Sequence, residues 1–145
     1  MSGSDAGDRE LAAQAALALH RPRGLPGLIA ALMLLAGFGL WFVRDHAAAP
    51  TMLALALLSG AIAAYAIARA RYDATVFQAW AAEDDLPAAV ARFDARWSRT
   101  TPGRSRPMAE RVAGALRWKQ RGLIATGAQG CCLAAGLWPL RHLLD

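Results

Sequence analysis

Three long runs without a single charged residue constrain this chain more than anything else in it. They cover residues 25–43, 51–68 and 122–140. Each approaches the ~20 residues that an α-helix needs to cross a hydrocarbon core at ~1.5 Å per residue. Strands are a poor alternative, because the runs lack two-residue alternation and are dominated by Ala and Leu, which favour helix. Arg21 and Arg23 precede the first run and Arg44 follows it; Arg69 and Arg71 close the second; Lys119 and Arg121 open the third and Arg141 ends it. Pro50 stands where the first turn of a helix tolerates it. The fold class expected is therefore an all-α membrane protein with three transmembrane helices.

The first run is not read as a cleaved secretory signal. Its apolar core is too long, it lies behind more than a signal's usual basic leader, and a second run follows within a few residues. It is read as an uncleaved first span.

Charge sets the threading. The chain has 16 Lys and Arg against 11 Asp and Glu, a net charge of +5, with 56% of its residues hydrophobic. Of the bases, only Arg44 and Arg141 lie outside the first 24 residues and the stretch 69–121. Those two basic segments fall on the same side of a three-span chain, and positive charge marks the cytoplasmic side. The expected order is a cytoplasmic N-terminal segment at 1–24, a first transmembrane helix at 25–43 and a short periplasmic loop at 44–50. A second helix at 51–68, a cytoplasmic helical segment at 69–121, a third helix at 122–140 and a periplasmic tail at 141–145 complete it. The Ala- and Arg-rich, Lys-poor usage is that of a high-GC bacterial genome, so the membrane expected is the bacterial inner (cytoplasmic) membrane. Trp41 and Trp138 then fall at the outer ends of spans one and three and Trp118 at the inner end of span three, where indole rings favour the headgroup layer.

The segment 69–121 reads as ordered. The second span can continue helically through Ala82, with Tyr72, Val76 and Trp80 at spacing four, and the third can begin near Pro107, with Met108, Val112 and Leu116 at the same spacing. Between them, Asp84 and Asp85 offer a cap and Pro87 a first-turn residue for an amphipathic helix at 86–98. Its Leu86, Val90, Phe93 and Trp97 fall within roughly 60° on the helical wheel. Arg92, Arg96 and Arg99 flank or oppose them. This helix forms a short cytoplasmic cap between spans two and three in one reading, burying Phe77, Trp80, Leu86, Val90, Phe93, Trp97 and Val112. In a second it lies in the inner headgroup layer with its arginines on lipid phosphates, and in a third its apolar face binds another protein. At the N-terminus, Asp8 can cap a short helix over residues 9–20 whose apolar residues are mostly Ala.

Little in the chain suggests chemistry. His20, His46 and His142 all lie outside the spans, with too few companions for a metal site. Cys131 and Cys132 are adjacent, which suits buried thiols better than a CxxC pair. Gln129 and Thr126 are the clearly polar pair deep in span three, and a membrane-buried amide usually bonds between helices. No HExxH, nucleophile triad or phosphate loop is present. Neither a cofactor, a metal nor a nucleic-acid partner is expected. More informative are small residues at spacing four: Ala56, Gly60, Ala64 and Ala68 in span two and Gly127, Cys131 and Ala135 in span three, with Ala128, Cys132 and Gly136 beside them. Such stripes let helix backbones approach closely, within the chain or onto another membrane protein. The expectation is a non-catalytic accessory, assembly or scaffold subunit of a membrane complex. Its partners are membrane lipids and another integral membrane protein or further copies of itself. An oligomeric pore or small transporter, including a lysis-type pore protein, is the alternative.

Overall fold

A computed structural model describes residues 3–20, 24–42, 48–96 and 106–143. Every regular element among them is helical: α1 (Gly3–His20), α2 (Leu25–Phe42), α3 (Ala49–Ala81), α4 (Leu86–Arg96) and α5 (Met108–Leu137), then a 3-10 segment, Trp138–Leu143. Proline marks the starts. Pro26, Pro50 and Pro87 each occupy a first turn, where a missing N–H leaves no bond unmade. Of the two acids ahead of α4, Asp85 is the cap: its Oδ1 accepts the Ala88 N–H at 3.0 Å and its carbonyl accepts the Ala89 N–H at 3.1 Å. The Asp84 carbonyl instead accepts a hydrogen bond from the Arg9 guanidinium of α1.

Two candidate spans are long and apolar enough to cross a membrane, one within the described residues of 5–42 and the other in α3, Ala49–Ala81. The third apolar run differs from the expectation of one continuous helix at 122–140. Its α-helix stops at Leu137 and the chain tightens into the 3-10 segment. Pro139 supplies the reason, since it has no N–H to continue the i→i−4 ladder. The N-terminal helix also differs. It starts at Gly3, ahead of Asp8, and its Ala12, Ala15, Ala16 and Leu19 are buried. A face of alanines lacks amphipathic contrast, yet its smallness allows a close approach of neighbouring helices.

The chain divides into two compact units, one made of Met1–Arg21 with Arg69–Arg117, the other of Pro22–Ala68 with Trp118–Asp145. In the second unit α2, the first part of α3 and the latter part of α5 form a three-helix bundle. Near the start of α2, Ile29 clusters with Ala63 and Ile67 of α3, and Ala125 of α5 packs against them. Near its end, Ala36 clusters with Ala49, Leu53 and Ala56 of α3 and Leu133 of α5. Within this unit α2 and α5 therefore run together and α3 runs against both.

Glycine sets the spacing of this bundle. A Cβ on Gly39 would lie 2.8 Å from Leu137 Cδ2, one on Gly60 2.7 Å from Met33 Cγ, one on Gly122 2.7 Å from Ile67 Cδ1 and one on Gly136 2.7 Å from Leu53 Cγ. Leu53 is fully buried and has nowhere to retreat. Gly136→Ala is thus expected to destabilise the protein by about 1–3 kcal/mol through overpacking. Gly127→Ala, where a Cβ meets nothing within 4 Å, should leave stability unchanged or raise it slightly. Thermal unfolding of both variants in detergent checks the contrast, and equal losses would refute it.

Candidate functional site

In the three-helix unit the polar centre is Gln129. It is fully buried, and its Nε2 donates to the Ile29 carbonyl of α2 at 3.4 Å, a long bond. Its Oε1 has no hydrogen-bond partner among the described residues. A Cβ on Gly60 would lie 2.6 Å from that Nε2, so the amide fits only because α3 has glycine there. One turn earlier, the buried Thr126 hydroxyl donates to the Gly122 carbonyl of its own helix at 2.8 Å. Gln129 accordingly links three helices within the unit and faces no open cleft.

The small-residue stripes divide. Ala56 and Gly60 are buried, whereas Ala64, Ala68, Gly127, Cys131 and Ala135 are exposed, as is Ala128; Cys132 is half-buried and Gly136 buried. The buried face of α3 follows Leu53, Ala56, Gly60, Ala63 and Ile67, and that of α5 follows Gly122, Thr126, Gln129, Leu133 and Gly136. Both alternate spacings of three and four. A strict spacing of four advances ~40° per step on a helix of ~3.6 residues per turn, so a stripe that begins on the buried face leaves it within three steps.

The other unit is centred on an ion pair that the sequence did not announce. Asp94 of α4 takes a two-pronged contact from Arg111 of α5, with Nη1–Oδ1 at 2.9 Å and Nη2–Oδ2 at 2.6 Å. The Arg111 Nε donates to the Arg106 carbonyl at 3.0 Å, and its guanidinium lies 5.7 Å from the Trp80 ring centre. Trp80 meets Phe77 and Phe93 edge to face, at 5.6 and 5.3 Å. Fixed by bidentate geometry and stacking, the pair joins α3, α4 and α5 around one indole. Asp94 lies ~80° from Leu86 on the helical wheel, at the margin of the apolar stripe, and that was the signal available.

The residues proposed for a partner or lipid surface on α4 therefore serve different ends. Leu86 and Ala89 are buried and Val90 and Phe93 half-buried in the unit, while Arg92 and Arg96 are exposed; Trp97 and Arg99 lie outside the described residues. Arg92 approaches Glu83 at 3.8 Å with both side chains largely solvated, a pair of little energetic weight. Val112 is half-buried in the same unit. A groove of about 340 Å³ runs between Asp5 and Asp8 of α1, Leu86 and Val90 of α4, and Arg106 and Met108.

No group of three His, Cys, Asp or Glu side chains among the described residues is placed to hold a metal ion. His20 is exposed at the end of α1, His46 lies outside the described residues, and His142 belongs to the 3-10 segment. Cys131 and Cys132 are free thiols.

No known protein family, curated protein or solved structure matches the chain.

With side-chain exposures of only 12% for Arg111 and 8% for Asp94, the ion pair should respond as a buried one. Asp94→Asn or Arg111→Gln alone is expected to cost about 3 kcal/mol by stranding the partner, and Asp94→Leu with Arg111→Met to restore most of it. Chemical denaturation of the four proteins tests this, and simple additivity of the two losses would contradict it.

Proposed function

We propose that the chain is a small polytopic protein of the bacterial inner membrane, crossing it three times, and a non-catalytic accessory, assembly or scaffold subunit of a membrane complex. The observation that carries the membrane reading is inverted polarity. Only 17% of the apolar window in the first candidate stretch and 33% of that in α3 is buried, whereas a core helix of a soluble protein is mostly buried. Leu34 and Trp41 are about three-quarters exposed, and Leu58, Ile62 and Ile124 are more than half exposed, around a narrow interior in which Ala, Gly and Gln129 stand beside Ile29, Leu53, Ile67 and Leu133. In water so wide an apolar exterior would drive association; in lipid it is the expected outside.

The third crossing has support of its own. From Trp118 to Trp138 the chain is α-helical up to Leu137, a rise of about 30 Å, which matches the hydrocarbon thickness. Both rings carry a stacked arginine, Arg121 at 5.1 Å from the Trp118 ring centre and Arg141 at 4.2 Å from that of Trp138. Such pairs suit the two headgroup layers. The up-down-up course of α2, α3 and α5 fits three crossings, and the basic segments 1–24 and 69–121 favour a cytoplasmic N-terminus and a periplasmic C-terminus. Reporters fused at Ala48 and Asp145 are expected to be external and one at Arg104 internal; an external reporter at Arg104 would overturn the threading.

The subunit role rests on the second small face of α5. Gly122 and Gly136 are used inside the bundle, while Gly127, Cys131 and Ala135 lie open beside them, a surface suited to close docking of another helix. Gln129 and Thr126 are turned into the bundle, which leaves an oligomeric pore short of a polar lining and favours the subunit reading. After mild detergent extraction the protein should copurify with a membrane partner or with itself, and Gly127→Leu should abolish this without unfolding the chain. A monomer alone would count against the role.

A further inference from the structure

Near one end of the bundle, α3 and α5 are drawn together at Gly122, where a Cβ would lie 2.7 Å from Ile67 Cδ1 and 3.4 Å from Ala66 Cβ. This close approach brings Tyr65, the residue before Ala66, against Trp118, one turn before Gly122. The two rings meet edge to face at 5.8 Å and 82°. Arg121 stacks over the other partner, its Cζ 5.1 Å from the Trp118 ring centre. Tyr65 is 63% exposed and Arg121 is exposed.

We propose that Tyr65, Trp118 and Arg121 form a seat for the headgroup of an anionic phospholipid. The proposal rests on the membrane-spanning reading above and adds a site and a lipid class to it. Stacking occupies the face of the guanidinium, whereas its N–H donors lie in the plane of the group. None of those donors has a protein acceptor among the described residues. A phosphate presents the paired oxygens that a planar fork of donors matches, and the phenol and indole N–H add two donors suited to the boundary between hydrocarbon and headgroup.

Charge selects the anionic lipid over the zwitterionic one. Arg117, Lys119 and Arg121 follow one another at alternate positions, and the sequence has no Asp or Glu between Glu110 and Asp145. A basic cluster at a membrane surface is attracted to anionic headgroups by about 1 kcal/mol per residue. The aromatic and arginine pair at the other end, Trp138 with Arg141, has no other Lys or Arg near it in the sequence, only His142 beside it, so the stronger preference is expected at the Trp118 end.

The test uses the full chain reconstituted in phosphatidylcholine vesicles containing a minor fraction of phosphatidylglycerol, with bromine on the acyl chains of either one lipid or the other. Bromine quenches nearby indoles, and the part of the quenching lost in Trp118→Phe reports on this site. Brominated phosphatidylglycerol is expected to quench Trp118 more strongly than brominated phosphatidylcholine at equal fraction. The preference should fall about five-fold in Arg121→Gln, weaken with salt, be only partly kept in Arg121→Lys, which retains the charge but loses the planar fork, and be unchanged in Arg141→Gln. Equal quenching by the two lipids, or no change in Arg121→Gln, would overturn the seat while leaving the spans intact. Release of the wild-type protein from membranes by alkaline carbonate would overturn the spanning reading and the seat with it.

Discussion

Close contact between helix backbones is the constraint on which the three-helix unit depends. In lipid, the environment proposed for this unit, side chains such as Leu and Phe gain little from entering a protein interior of similar polarity, so helices associate through intimate packing and a few hydrogen bonds. The sequence meets that demand with glycines that cannot be enlarged: Gly39 against Leu137, Gly60 against Met33 and Gln129, Gly136 against Leu53. Large apolar side chains are correspondingly displaced to the outside, where Phe38, Leu58, Ile62 and Ile124 are exposed. Gln129 extends the same logic. Its amide needs a partner in an apolar interior, and Gly60 leaves the room through which it reaches the Ile29 carbonyl.

The other unit is built on the opposite plan, with aromatic and aliphatic side chains inside and charges outside. Phe77, Trp80, Leu86 and Met108 are buried, as in a small domain assembled in water. A buried charge pair is held where three helices meet the Trp80 ring. A pair so placed contributes little net stability, since the desolvation of both ions offsets much of their attraction. α1 adds an alanine face to the same unit, with Arg9 on the Asp84 carbonyl. The two units thus differ in plan, one with much apolar surface outside and the other with its large apolar side chains inside.

Much of the helical framework could be read without coordinates because its causes are local. Pro26, Pro50 and Pro87 mark helix starts, and no Gly or Pro interrupts α3 after Gly60. Less of the candidate surfaces was legible. A spacing of four drifts round the helix, so Ala64 and Ala68 end up outside while Ala63 and Ile67 are inside. Only the alternation of threes and fours follows the true buried seam. The pairing of Asp94 was not legible, because its partner, Arg111, is distant in the chain and the intervening residues give no hint of it.

The sequence by itself determined what depends on neighbours along the chain: all-helical structure, where the uncharged runs lie, and how basic residues are distributed around them. Tertiary structure alone decided which face of each helix is used, that α4 turns its apolar side into its own unit, and that Asp94 and Arg111 meet beneath Trp80. It also decided that Gln129 reaches Ile29 and that Gly122 lets Tyr65 meet Trp118. The physical reason is range. Propensity, capping and hydrophobic length act within a few turns of helix, whereas these contacts depend on how closely two separate backbones approach, and a missing Cβ on one helix is what sets that distance on another.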